Sequence, residues 1–364
     1  MLTSARPSSA VAAVEELAEI SARVLPHYPG WEGATVTRIN TGLINRSFVL
    51  TRTAPPVHAV LQAVSAIFSP AIQDNIAAVT ARLAEQGMAT PRLVPTRAGG
   101  LYLDDGERGI WRLMTYIDGA TFDVVGGTGQ ARAAGELVGR FHRALDGFAH
   151  RFASARAGVH DTPAHLRRLH DAVAAHPGHR LAASVRPLAD AIHAAAAALP
   201  PLPALAPRVC HGDLKFNNIV FAGRQPPDDA RAVCLIDLDT CGPQSLAYEL
   251  GDAWRSWCNR AGEDDVDARL DLDVFRASLD GYVAGLGRPL AADERSGLLL
   301  GVEWISLELT ARFAADALAE SYFGWDAARF PGRGEHNLVR ARGQWSLHQA
   351  LIASRAARAA LLGS

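Results

Sequence analysis

The sequence predicts an α+β chain of two lobes, a small strand-rich one over 1–117 and a larger helical one over 118–364. Three observations carry that expectation. Short apolar runs bounded by turn residues crowd the first third of the chain, whereas stretches of helical composition follow it. Met114-Thr115-Tyr116-Ile117-Asp118-Gly119 closes a longer apolar run, as an exit from one lobe into the next would. At 364 residues the chain can build two lobes with a sizeable core.

The elements follow in order. Val11–Leu25 carries helical apolar spacing and stops before Pro26. Thr35–Asn40 and Ser47–Thr51 read as strands joined by Thr41-Gly42-Leu43-Ile44-Asn45-Arg46, with His58–Val64 as a third. Pro70–Gln86 reads as a helix, with proline at its start and Gly87 just past its end. Short strands near Arg92–Pro95 and Leu101–Leu103 precede the longer run Ile110–Ile117. Gln130–Phe148, Pro163–Ala175 and Leu181–Leu199 then show helical composition, and Pro200–Pro207 punctuates the chain. Ile219-Val220-Phe221 and Ala232–Ile236 are apolar strands joined by a hairpin over Gly223–Asp229.

The chemistry concentrates at those last two strands, in Val209–Asp239. Their ends carry His211, Asp213, Asn218, Asp237 and Asp239: a carboxylate able to act as a base, and an amide and carboxylates suited to oxygen-ligated magnesium. An Asp followed five residues later by Asn, then a second Asp at a strand end, is the pattern with which kinase-fold phosphotransferases build their centre. Phosphoryl transfer needs an oriented nucleophile and neutralised phosphate charge, with little covalent work by the protein. Asp213 would accept the proton of the attacking hydroxyl, Asn218 and Asp237 would hold magnesium, and His211 would brace the loop rather than react. If the strand continues past Asp237, Asp239 lies on the same face and could serve the metal or support it.

Composition excludes several classes. Lys plus Arg number 36 against 38 Asp plus Glu, a net charge of −2 with no basic run, so there is no electrostatic footprint for nucleic acid. No apolar stretch reaches membrane-spanning length, and Met1–Ala10 lacks a charged region leading into an apolar one. Cys210, Cys234, Cys241 and Cys258 form no C-x-x-C pair and suit buried free thiols, hence a reducing cytoplasm.

Several other features read more simply. Gly126-Gly127-Thr128-Gly129 has no strand feeding it and reads as a flexible connection, His142 reads as a packing histidine, and His160-Asp161-Thr162 before Pro163 reads as a capped helix entry. No G-x-S-x-G supports serine hydrolysis.

Together these segments resemble the aminoglycoside phosphotransferase-like kinases, of bilobal protein-kinase-like fold, and most of all the branch that includes bacterial N-acetylhexosamine 1-kinases. Gly42-Leu43-Ile44-Asn45-Arg46-Ser47-Phe48 is similar to that branch's nucleotide loop. Leu61-Gln62, Ile67-Phe68-Ser69-Pro70 and Asp74-Asn75-Ile76 are similar to its next strand and helix. Asp237–Thr240, Glu249–Arg255, Ala311–Asp316, Tyr322-Phe323 and His336–Arg340 extend the likeness over about residues 35–350. The resemblance implies ATP and Mg2+ as cofactors, with Asp213 as base and Asn218 and Asp237 as magnesium ligands. It implies nucleotide contacts by Gly42, Asn45, Gln62, Met114 and Tyr116, and acceptor contacts by Arg312 and Tyr322. Two departures stand out: Gln62 occupies the place where many kinases put a phosphate-gripping lysine, and Glu249 stands where relatives commonly have Asp.

From residue 301 onward, Trp304, Trp325, Trp345, Tyr322, Phe313, Phe323 and Phe330 offer flat faces for a sugar, and Arg312 and Asp316 offer groups for its hydroxyls. Seven Arg against six Asp plus Glu in that segment favour a neutral acceptor over a polycation. The expected reaction moves the γ-phosphate of ATP to a sugar hydroxyl, anomeric in an N-acetylhexosamine. The alternatives are a kinase for an aminoglycoside, an amino alcohol or another small alcohol and, from another class, a nucleotide-binding pseudokinase suggested by Gln62.

Overall fold

The computed structural model describes residues 15–39, 44–153, 160–223, 230–262 and 264–363. The chain divides into two compact units, Met1–Asp118 with Ala149–Ser154, and Gly119–Phe148 with Ala155–Ser364. The fold is α+β, with a strand-rich first part and a larger helical second part.

The first unit is an antiparallel sheet with a helix. Strands β1 (Thr35–Ile39), β2 (Arg46–Thr53), β3 (Pro56–Val64), β4 (Leu93–Val94), β5 (Leu103–Asp104) and β6 (Ile110–Thr115) pair in the order β1-β2-β3-β6-β4, with β5 also on β6. Alternation decides which side chains go inside. Phe48 and Leu50 of β2, Ala59 and Leu61 of β3 and Leu113 of β6 point to one face, where Tyr28, Ile20, Val24 and Leu25 cover them. Each large apolar side chain in that layer contributes roughly 1.5–3 kcal/mol by leaving water. Tyr28 donates its hydroxyl to the Trp111 carbonyl at 2.8 Å, so its polar tip is satisfied inside the core. The helix α1 (Ile72–Glu85) ends where Gly87 takes φ +70°, the left-handed conformation that glycine adopts without strain. Asn75 of α1 holds Ala153 by both N–H and C=O, at 3.0 and 2.7 Å, which fastens 149–153 to this unit.

Several boundaries differ from expectation for identifiable reasons. Pro26 lies inside a 3-10 turn, Leu25–His27, because proline is tolerated where an N–H has no helical partner. Residues 11–14 of the expected first helix, 41–43 of the expected connection including Gly42, and 224–229 of the expected hairpin fall outside the described residues. The chain also enters its next helix early. The Gly126 N–H donates to Gln130 Oε1 at 2.7 Å, so Thr128 and Gly129 form a helical first turn instead of a loose connection.

The second unit is helical: α2 (Thr128–Ala144), α3 (Thr162–Ala175), α4 (Ala182–Ala198), α5 (Leu246–Trp257), α6 (Leu272–Leu286), α7 (Ala292–Ala319), α8 (Arg333–Ala353) and α9 (Arg355–Leu362). Asp161 caps α3 through a 2.9 Å bond from the Ala164 N–H, as its place before Thr162-Pro163 suggests. Helices α3, α4, α5 and α8 pack on the long α7. Two short ladders sit among them, β7 (Arg208–Cys210) with β10 (Gly242–Gln244), and β8 (Ile219–Phe221) with β9 (Ala232–Leu235).

Helices α2 and α6 approach so closely that four glycines face the contact. A Cβ on Gly135 would lie 2.0 Å from the Ser278 carbonyl oxygen, and one on Gly281 would lie 2.0 Å from that of Arg132. Gly135→Ala must push two backbones apart. A loss of about 1–3 kcal/mol is expected, read as a lower midpoint in chemical denaturation.

Candidate active site

The loop between β7 and β8 carries the chemistry, and its shape follows from Gly212. At φ +82° this residue turns the chain sharply, and a Cβ there would sit 2.5 Å from Gln244 Nε2 and 2.6 Å from the Thr240 carbonyl. No L side chain fits. On one side of the turn His211 is fully buried. Its Nε2 lies 2.8 Å from the Ile236 carbonyl and its Nδ1 accepts from the Asp213 N–H at 3.3 Å, which fixes the Nε2–H tautomer. Thr240 donates to the His211 carbonyl at 2.8 Å. The imidazole therefore braces the loop against the end of β9.

Below the turn, Glu249 of α5 accepts the His211 N–H at 2.7 Å and the Gly212 N–H at 2.9 Å. Those contacts answer what a glutamate does at this position: it holds the loop's backbone from beneath. Burial opposes its charge, but the adjoining His142 and the loop's N–H groups outweigh that, and the carboxyl stays below the usual glutamate range. His142 lies 3.4 Å from Glu249 Oε1 and 3.0 Å from the Tyr282 hydroxyl. It is buried as expected, but in a polar network that supports the loop. Burial pushes its imidazole down. Cys210 approaches the same pair, a grouping with metal-ligand residue types. Glu249 is already occupied by two backbone donors, so its contacts here support the loop, and burial holds the Cys210 thiol well above its ordinary range.

On the other side of the turn stands Asp213, its side chain 19% exposed. Lys215 Nζ lies 3.2 Å from one carboxylate oxygen and 3.3 Å from the other. Asn218 donates through Nδ2 to the Asp213 carbonyl at 2.8 Å, so its Oδ1 is the amide atom turned away from that bond. Trp257 Nε1 donates to the Leu214 carbonyl at 2.7 Å, and Phe216 packs between Trp257 and Phe221. The loop is thus held along its whole length.

Strand β9 stops at Leu235, and Asp237 adopts φ 64°, ψ 56° before a 3-10 turn, Leu238–Thr240. Aspartate is among the few residues that enter this region readily, and such positions cluster at functional sites. The turn corrects one expectation. The strand does not run on to Asp239, so Asp237 and Asp239 do not share a strand face, and Asp239 is buried within the turn. Ile236 ties this segment back, its N–H donating to the Asn218 carbonyl at 2.9 Å. The donor set around it, an amide oxygen and carboxylates, fits a hard divalent cation.

The pattern of His211, Asp213, Asn218 and Asp237 does not by itself single out Lys215. Its signal was available as the basic residue two positions after Asp213 in His211-Gly212-Asp213-Leu214-Lys215.

In the first unit Asn45 Oδ1 accepts the Ser65 N–H at 2.9 Å, bridging the two ends of the β2–β3 hairpin. Gln62 lies across from Ser47 on β2 and Arg112 on β6. Met114 is buried in the sheet, and Tyr116 packs near His58 at a ring distance of 5.4 Å.

Along α7, Trp304, Glu308 and Arg312 recur every four residues and so share a face. Glu308 is buried, accepting from Thr162 Oγ1 at 2.6 Å beside His160 at 3.2 Å. The Arg312 guanidinium lies 6.0 Å from the Tyr322 ring and 5.6 Å from that of Phe323, which brings the two expected acceptor residues together, with Tyr322 66% exposed. Trp304 also lines a cavity of about 890 Å³ with Thr162, Leu166, His170, His193 and Tyr248.

Asp316 is not placed to take an acceptor hydroxyl. It is buried and accepts the N–H groups of Ser321, Tyr322 and Phe323 at 2.8–2.9 Å and the Asn337 amide at 2.8 Å. Its lone pairs are spent on folding the loop that presents Tyr322. Asp316→Ala strands three backbone donors. We expect a loss of about 3–5 kcal/mol in stability, measured by denaturation, together with a raised acceptor KM. Most of the remaining aromatics are structural as well: Phe313 is core, Phe330 stacks on His336 at 4.0 Å, and Trp345 packs on His348.

The model of the phosphotransferase enzyme family known as APH matches residues 35–285, well over half the chain. Among solved structures, a microcompartment-associated aminopropanol kinase superposes with a TM-score of 0.64 at 18% identity, covering 93% of this chain and 98% of its own. An aminoglycoside phosphotransferase from Alicyclobacillus acidocaldarius gives 0.56 at 17% identity, over 88% and 92%. A choline kinase from Cryptosporidium parvum gives 0.56 at 13%, over 92% and 96%. Among the described residues no helix is long and apolar enough to cross a membrane. With this match and the Asp213 loop it spans, the chain belongs to the APH phosphotransferase family, enzymes that phosphorylate alcohol groups of small molecules.

Proposed function

We propose that this phosphotransferase moves the γ-phosphate of ATP to a sugar hydroxyl, with the anomeric hydroxyl of an N-acetylhexosamine as the expected acceptor. The observation that carries the reading is the braced loop in which Lys215 pairs with the Asp213 carboxylate and Asn218 donates to the Asp213 backbone carbonyl. Asp213 accepts the proton of the attacking hydroxyl and orients its oxygen. Asn218 and Asp237 would hold Mg2+, with Asp239 as a further metal or supporting group. Bound magnesium neutralises phosphate charge that would otherwise repel the attacking oxygen. Lys215, partly exposed, adds a second positive charge beside the base. Gly42, Asn45, Gln62, Met114 and Tyr116 are assigned to the nucleotide, and Arg312 and Tyr322 to the acceptor.

Charge supports the choice of acceptor. The proposed contact residue Arg312 is cationic, and the buried carboxylate beside it, Glu308, is taken up by Thr162 and His160. That balance disfavours an ammonium-bearing substrate. The second reading is nonetheless an amino alcohol, because three similar folds are described as aminopropanol, choline and ethanolamine kinases. A pseudokinase is disfavoured by the retention of Asp213, Asn218 and Asp237 together in the sequence. A reducing, cytoplasmic setting fits four buried free thiols.

The test is ADP release at saturating Mg2+ and ATP across N-acetylhexosamines, other sugars, amino alcohols and aminoglycosides. Turnover on an N-acetylhexosamine is expected. Turnover confined to an amino alcohol or an aminoglycoside overturns the acceptor while keeping the chemistry, and ATP binding without turnover on any alcohol favours the pseudokinase.

A further inference from the structure

Gln62 of β3 is neutral where many kinases carry a phosphate-gripping lysine, yet a cation stands beside it on the next strand. Arg112 of β6 lies directly across from Gln62 in the β3–β6 ladder. Its guanidinium donates to Gln62 Oε1 through Nε at 2.9 Å and through a terminal nitrogen at 2.7 Å. The other terminal nitrogen reaches Gln73 Oε1 of α1 at 3.4 Å. Arg112 is 1% exposed and Gln73 is equally buried, so this is a built arrangement and not a surface encounter.

The fork fixes which way the carboxamide faces. With Oε1 gripped by two guanidinium donors, Nε2 must point the other way, and it lies 3.0 Å from Ser47 Oγ on β2. A primary amide has two N–H donors, and Ser47 takes one. A cation on the carbonyl end also draws electron density from the amide and strengthens its N–H groups as donors.

We propose that Arg112 is a positioning residue that orients and polarises Gln62, so that the second Nε2–H binds a nucleotide phosphate. The charge that other kinases place on β3 sits here one strand away and acts through the amide. In those enzymes the lysine pairs with a glutamate of the following helix; here Gln62, Arg112 and Gln73 form the corresponding chain. The inference rests on the reading of the protein as an ATP-dependent kinase.

Gln62→Glu separates this role from a structural one. A carboxylate keeps the shape and pairs with Arg112 at least as well, so the melting temperature is expected to hold or rise. It has no N–H, however, and presents negative charge to the phosphate. Affinities for Mg-ATP and for adenosine are compared by calorimetry in the wild type, Gln62→Glu and Arg112→Gln. The expected result for Gln62→Glu is a loss of about tenfold or more for Mg-ATP with adenosine unchanged. Arg112→Gln is expected to weaken Mg-ATP alone by a smaller factor, and adding Gln62→Lys to it is expected to restore binding. Wild-type Mg-ATP affinity in both Gln62→Glu and a folded Arg112→Gln overturns the inference alone. If Arg112→Gln does not fold, the Gln62→Glu comparison decides. Failure of the wild type to bind Mg-ATP overturns the kinase reading with it.

Discussion

Asp213→Asn is expected to lower kcat by about 10²–10⁴-fold, the usual worth of a positioned general base. The substitution preserves the shape of the side chain, and the amide oxygen can still accept from Lys215. It removes the proton acceptor. Little stability should be lost, because the ion pair it breaks involves a lysine side chain 43% exposed, and pairs of that kind contribute about 0–1 kcal/mol. Nucleotide affinity should stay within a few-fold of wild type, since the change lies at the attacking oxygen. A fall in kcat with melting temperature and nucleotide affinity retained is the signature expected of a base. A parallel loss of all three would instead mark Asp213 as a structural residue.

Glu249→Gln is the second large effect, and it acts through the backbone. The native carboxylate offers two acceptor oxygens to two buried N–H groups, those of His211 and Gly212. A carboxamide offers one oxygen and sets an NH2 against the other donor. We expect a loss of about 2–4 kcal/mol, seen as a fall of roughly 3–5 °C in melting temperature. Activity should fall as well, because the loop from His211 to Asn218 is no longer pinned. The same residue predicts a pH dependence. Its folded-state pKa is depressed below the ordinary 4.5, so its stabilisation is fully present above that value and is lost as pH falls through the lower folded value. Wild type should therefore lose stability below about pH 4.5 more steeply than Glu249→Gln. Equal acid slopes in the two proteins would contradict the assignment.

Much of this arrangement is legible in the sequence. The strands Ile219–Phe221 and 232–235 and the residues at their ends stand out because short apolar runs flanked by His, Asp and Asn have few other readings. The caps at Asp161 and Gly87 follow from local backbone chemistry, which neighbouring residues alone determine. What the sequence hid depends on contacts between distant segments. Glu249 and His142 meet the loop from two different helices, and no local pattern announces that. Asp316 looked like a hydroxyl-binding carboxylate because its identity is visible and its partners, the N–H groups of 321–323, are not. Asp237 shows the same limit: an apolar run predicts a strand, but a left-handed residue just past its end redirects everything after it. Arg112 drew no notice inside an apolar strand, since its meaning comes only from lying across from Gln62.

The most direct test of the whole account is single-turnover transfer of labelled γ-phosphate from ATP to acceptor hydroxyl, in the wild type and in Asp213→Asn at saturating Mg2+. The account predicts a phosphorylated alcohol and one ADP per phosphate transferred by the wild type, with transfer by the variant slowed by about 10²-fold or more. Transfer by Asp213→Asn at the wild-type rate would contradict it.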